Sequence, residues 1–153
     1  MNIKDLLLNR GWAGKTISRA ETIQRINPLV RQLLDLTWTY QNAVEHMVDG
    51  EVADALRLHL KELRMDVGKL CEIVFSCGGV APTGAGMRSE SYPAGDTDDA
   101  RLTALLALDK AMLAAVEGEK NVEHQMRNRA VLGFVERKTQ ERIAYLTEEL
   151  RTR

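Results

Sequence analysis

From Leu56 to Cys77 the apolar residues Leu56, Leu60, Leu63, Val67, Leu70, Val74 and Cys77 recur at alternating spacings of four and three. That alternation lays a single apolar stripe along an α-helix, and a proline-free stretch of this length predicts a helix about 30 Å long. A helix so one-sided is not stable alone in water and must bury its stripe against others.

The same alternation predicts its partners. Val30, Leu33, Thr37, Tyr40, Val44 and Met47 mark a first helix, which Ile23 and Ile26 extend backwards. Asn27 reads as its N-cap and Pro28 as its first helical residue, where a missing N–H costs nothing. Asp49-Gly50 closes it with glycine in the left-handed conformation, and so short a turn sends the second helix back antiparallel from near Glu51. The second helix stops at Gly78-Gly79. The following segment, residues 78–98, carries the remaining two prolines. A connection of this length either crosses the length of a bundle, leaving the third helix parallel to the second, or forms a mobile loop, with Tyr92 as a candidate anchor.

Asp96, Thr97, Asp98 and Asp99 offer an N-cap and an acidic first turn for a third helix. Its stripe is Leu102, Leu105, Asp109, Met112, Val116, Glu119 and either Val122 or Glu123, ending near Met126, with a break around Asn128 and Gly133. A fourth helix follows with Leu132, Val135, Thr139, Ile143, Leu146 and Leu150, finishing in Arg151 and Arg153. Residues 1–26, with Leu6 to Leu8 and with Gly11 and Gly14 around Trp12, read as an N-terminal arm or short extra helix ahead of a bundle spanning 27–153. No strand candidate interrupts the pattern. The expected fold is an all-α four-helix bundle.

Composition narrows the function. The chain has 153 residues, one domain by length, and 44% apolar residues supply an ordinary core, aliphatic because only 5% are aromatic. With 21 Lys and Arg against 22 Asp and Glu and no block of like charge, capture of nucleic acid or of an anionic membrane is not the expected work. No apolar run approaches the ~20 residues that span a bilayer, and the opening residues do not resemble a signal peptide, so a cytoplasmic address is expected. Cys71 and Cys77 lie six residues apart on one helix, roughly 9 Å, beyond disulfide reach, and read as reduced packing residues.

Polar residues on the inner stripes are the candidate chemistry, because an unpaired buried charge costs several kcal/mol. They are Thr37 and Tyr40 on the first helix, His59 flanking the stripe of the second, Asp109, Glu119 and Glu123 on the third, and Thr139 flanked by Glu136 and Gln140 on the fourth. A di-iron carboxylate centre needs oxygen ligands from all four helices and a Glu-x-x-His pair on two of them. His59 has Leu56 in the glutamate position, Glu136 has Thr139 in the histidine position, and the first helix has Thr37 where an acid is needed. The template is met only in part. Glu45, His46 and Glu62 read as surface residues, His124 as a surface residue or one that stabilises the end of the third helix, and Met65, Met112 and Met126 as packing.

The stretch from Tyr40 to Gly79, Y-x-x-A-x-E-H-M-x-D-x-E followed after one helix by the Gly-Gly-x-x-Pro of Gly78, Gly79 and Pro82, resembles a bacterial family of ferritin-like four-helix-bundle proteins of unknown function. Gly118-Glu119 and the neighbourhood of Glu141, Arg142 and Ile143 are similar to the same family, and the resemblance covers residues 27–150. It implies a ferritin-like bundle with a long crossover between the second and third helices, in a metal-binding or stress-associated protein, with metal ligands carried over to Glu119, His59 and Glu136. The absent first-helix glutamate and the two broken Glu-x-x-His pairs imply that the metal centre is altered or lost.

Three functions follow as expectations. The first is a non-catalytic bundle, without a cofactor, that forms a homo-oligomer or binds another protein through an exposed helical face. The second is a metal-dependent redox or storage protein holding iron or manganese through Glu119, His59 and Glu136. The third is histidine phosphotransfer at His59, with Lys61 and Gly68 beside it. No Ser-His-Asp or Cys-His pairing, P-loop or dinucleotide fingerprint supports another enzyme class.

Overall fold

The structure is a computed structural model that describes residues 16–153. Four helices carry the fold: α1 (Arg19–His46), α2 (Gly50–Ser76), α3 (Asp98–Glu117) and α4 (Met126–Arg151), with one short 3-10 turn at Ser89–Ser91. There is no strand among the described residues, and none of these helices is long and apolar enough to cross a membrane.

Helix α1 begins a full two turns earlier than Asn27-Pro28 suggests. Ser18 is its N-cap, with the hydroxyl accepting from the Glu21 amide at 3.1 Å, in the Ser-x-x-Glu spacing that satisfies free N–H groups at a helix start. Pro28 therefore lies inside the helix, where it removes one backbone hydrogen bond and crowds the preceding turn. Burial of Ile26, Leu29, Val30 and Leu33 around it outweighs that cost. Asn27 caps nothing; its side-chain amide donates to the Val80 carbonyl at 3.1 Å. Residues 19–26 thus belong to the bundle, while Leu6 to Leu8, Gly11, Trp12 and Gly14 lie outside the described residues.

The α1–α2 turn also differs from expectation. Asp49 caps α2 by accepting from the Glu51 and Val52 amides, and Gly50 is the first helical residue, with no left-handed backbone. Left-handed glycine closes α2 instead, at Gly78 with φ +82. Next to it, Gly79 passes so close to Ile23 that an added Cβ would stand 2.7 Å from its Cδ1.

At the far end of the chain, α3 stops at Glu117 and residues 118–125 form the connection, so the third helix is shorter than its pattern suggests. The fourth helix runs unbroken through Asn128 and Gly133, which were expected to mark a break.

The helices pair α1 with α2 and α3 with α4, α1 also packs on α3 and α2 on α4, and α2 and α3 lie diagonally without packing on each other. Asp98, at the start of α3, accepts from the backbone amides of Val48 and Asp49 at 2.9 Å each. Arg153, at the end of α4, pairs with Asp49, Asp98 and Asp99. The starts of α2 and α3 therefore share one end of the bundle. At the opposite end Arg25 meets Glu119, and the Ile17 amide donates to the Glu123 carbonyl.

Residues 77–97 run along α1. Beyond the Asn27–Val80 bond, Tyr92 donates to Asp35 at 3.2 Å, as its candidate anchoring role requires. Asn42 grips the segment twice, donating to the Ser89 carbonyl and accepting from the Ala94 amide, each at 3.0 Å. Ser89 donates to Glu45 at 2.8 Å. From Asn27 to Glu45 these contacts cover about 27 Å of helix at roughly 1.5 Å per residue.

Candidate functional site

Four helices each send a polar side chain to one point in the core. Arg142 of α4 is fully buried; its Nε donates to Asp109 Oδ1 of α3 at 2.9 Å and its Nη2 to Thr139 Oγ1 at 3.1 Å. Tyr40 of α1 donates its hydroxyl to Asp109 Oδ2. Asp66 of α2, with a side chain 1% exposed, places Oδ2 3.9 Å from Arg142 Nη1. Thr139 in turn donates to the Val135 carbonyl at 2.7 Å, so its hydroxyl is satisfied as donor and as acceptor.

Each group's acidity follows from this packing. Burial, then the neighbouring Asp109 carboxylate, holds the Tyr40 hydroxyl well above the ordinary tyrosine range. Burial also pushes Asp109 up, against the pull of Arg142 and of the Tyr40 hydrogen bond. Because Asp109 accepts from both an N–H and an O–H donor, its hydrogen bonding is that of an ionised carboxylate. Asp66 accepts no hydrogen bond, and burial raises it to about 6 although Arg142 and Lys69 oppose the shift. His59 is driven down, by burial first and by the Arg142 charge second.

The expected metal ligands do not gather here. Glu119 lies in the α3–α4 connection, past the end of the helix whose inner face it was expected to occupy, with Oε1 2.9 Å from His124 Nε2 and Oε2 3.4 Å from Arg25 Nη1. Glu136 is held at 2.6 Å by Lys120. Glu119 and Glu136 share a cleft of about 210 Å³, lined also by Val116, Lys120, Arg129, Leu132 and Gly133. His59 is not in that cleft but borders the network, edge-on to Tyr40 and to Tyr145 with ring centroids 6.5 and 5.0 Å away, and its Nδ1 is buried without a hydrogen-bond partner. Among the described residues no three His, Cys, Asp or Glu side chains stand together as a group able to hold a metal ion. The residues present do not fit a di-iron centre, and at the middle of the bundle the positive charge is the guanidinium of Arg142.

Of the network's members, Tyr40, Asp109 and Thr139 are legible on the stripes, while Arg142 and Asp66 are not among the residues singled out there. Arg142 was passed over for Ile143, although a strict alternation of three and four through Leu132, Val135, Thr139 and Leu146 lands on 142; Ile143 is only half-buried. On α2 the strict alternation itself lands on Val67, which is only half-buried, while Asp66 beside it is the residue that faces the core. His124, expected at the surface or stabilising the end of the third helix, lies within the connection with its ring wholly covered against Glu119. Glu45 and His46 are exposed, as expected.

No protein-family model matches the chain, and a search of curated proteins finds no match either.

Proposed function

We propose that this chain is a ferritin-like bundle whose metal-centre position is taken by an internal ion-pair network, and that it works by association, with further copies of itself or with another protein, rather than by turning over a substrate. One observation carries the reading. A di-iron bundle draws an anionic ligand from each helix around cations, whereas here one side chain from each helix converges on the cation of Arg142. The guanidinium supplies the compensating charge with no open coordination position. The course of residues 77–97 along α1, with α2 and α3 starting at the same end, favours the ferritin-like crossover over a free loop.

Association has support from α2, where Leu58 and Met65 stand one heptad apart on the outer face, 67% and 54% exposed. A stress-associated role rests on the family resemblance alone. Sedimentation velocity tests the self-association arm: the wild type is expected to sediment as an oligomer and Leu58→Glu with Met65→Glu as a monomer. A wild type that stays monomeric at high concentration and recovers no partner when used as bait overturns the reading.

The alternative, metal binding, is favoured by the cleft that Glu119 and Glu136 share. It requires metal that is lost from both Glu119→Ala and Glu136→Ala. Phosphotransfer at His59 has less support, since its ring is packed between two tyrosines.

A further inference from the structure

Arg142 has three nitrogens and two hydrogen-bonded partners. Nε and Nη2 are committed to Asp109 and Thr139, while Nη1 is buried with no hydrogen-bond partner, 3.9 Å from Asp66 Oδ2. Both oxygens of Asp66 are likewise buried and accept no hydrogen bond. An ionised carboxylate in that position is costly unless it closes on a donor, whereas a protonated one can stand beside a cation without doing so. The geometry leaves Asp66 without the closed hydrogen bond that an ionised carboxylate needs. Two buried carboxyl groups thus share one guanidinium, and Asp109 holds it.

We propose that Asp66 and Arg142 form a proton-controlled latch across the core: with Asp66 protonated, Arg142 is bonded to α3 through Asp109, and loss of the proton draws its Nη1 into a hydrogen bond with α2. Closing from 3.9 Å to the ~2.8 Å of a charge-assisted bond moves the guanidinium by about 1 Å. That movement links α2 with α3, which lie diagonally and do not pack on each other, and loads the bond between Asp109 and Tyr40 of α1. The proton has an exit. Asp66 lies at the base of a 170 Å³ cleft between α2 and α4, walled by Glu62, Met65, Phe134 and Lys138.

The groups facing Asp66 set the range over which the latch acts. From α4 these are Arg142 and Lys138, from its own helix Glu62 and Lys69, and α1 brings Tyr40 to the far side of the network at Asp109. Burial dominates and Glu62 adds to it, while the three cations oppose both, leaving the carboxyl at about 6 against an ordinary 3.8. A carboxyl raised on folding gives stability that is fully present below the ordinary value and is lost as pH rises through the folded one. From about pH 5 to about pH 7.5 this group alone makes the unfolding constant about tenfold larger.

The test is an NMR titration of the folded wild type, following Asp66 Cγ and the Arg142 Nε–H, together with urea unfolding of wild type and Asp66→Asn. The two resonances are expected to move together with a midpoint near pH 6, the Arg142 step to vanish in Asp66→Asn, and the tenfold change to appear in the wild type only. His59 responds in the opposite sense but is common to both proteins, so the difference between them isolates Asp66. An Asp66 that titrates at its ordinary value, an Arg142 resonance that stays fixed, or a step that survives in Asp66→Asn overturns the proposal. Should the variant fail to fold, the wild-type titration decides alone.

Discussion

Replacing Arg142 by methionine keeps most of the side-chain volume and removes the one cation in the middle of the bundle. Asp109, fully buried, would keep only the Tyr40 hydroxyl, and Asp66 would lose its one charged neighbour from the network. Breaking a buried pair by removing one partner costs about 3–5 kcal/mol, because the other charge is left uncompensated. For a chain of this size, with each kcal/mol moving the midpoint by roughly 2–4 °C, Arg142→Met should unfold at least about 6 °C below the wild type at neutral pH. Removing the stranded charge reverses most of the loss: Arg142→Met with Asp109→Leu and Tyr40→Phe leaves no unpaired polar atom among the three and should lie within about 2 kcal/mol of the wild type. The cost of Arg142→Met alone should also shrink as pH falls, since both carboxyl groups are already raised by burial and protonation relieves them. Thermal and urea unfolding followed by far-ultraviolet circular dichroism measure the midpoint shift and the free-energy changes. The reasoning is refuted if Arg142→Met costs less than about 1 kcal/mol at neutral pH, or if the triple variant is no more stable than the single one.

Two further substitutions probe the frame around the network. Gly79→Ala sets a methyl group 2.7 and 2.8 Å from Ile23 and 3.0 Å from Val74, and the overpacking should cost about 1–3 kcal/mol in thermal unfolding; an unchanged midpoint would mean that Ile23 is free to turn away. Asn42→Ala removes both amide contacts to residues 77–97, so hydrogen exchange at Ala94 should accelerate while that of α2 changes little; equal acceleration everywhere would show a global rather than a local effect.

How far the sequence could be read depended on which residue types sat on the stripes. Where the stripe was aliphatic, as at Leu56, Leu60, Leu63 and Leu70, the period identified both the helix and its buried face. At Arg142 beside Ile143 hydrophobicity pointed to the apolar neighbour although the alternation favoured the charge, whereas at Asp66 beside Val67 the alternation and hydrophobicity both pointed to Val67 and only the packing turns Asp66 inward. A buried ion pair is visible only when both partners are known, and these lie 33 residues or more apart in the chain. Helix ends were misread where two signals competed. Asn27-Pro28 has the chemistry of a helix start, but Ser18 and Glu21 supply a better one upstream and the core around Pro28 carries the helix through it. Gly118, conversely, ended α3 before the apolar pattern did. The burial of His124 follows from that early end, because the connection folds its ring inward against Glu119.

On the proposed reading Arg142, and not a metal, balances the carboxyl groups inside the bundle. Metal analysis of protein purified after growth with added iron and manganese tests it most directly, with Glu119→Ala measured alongside. Neither protein is expected to carry stoichiometric metal. Stoichiometric iron or manganese in the wild type that disappears in Glu119→Ala would contradict it and establish a reduced ferritin-like site.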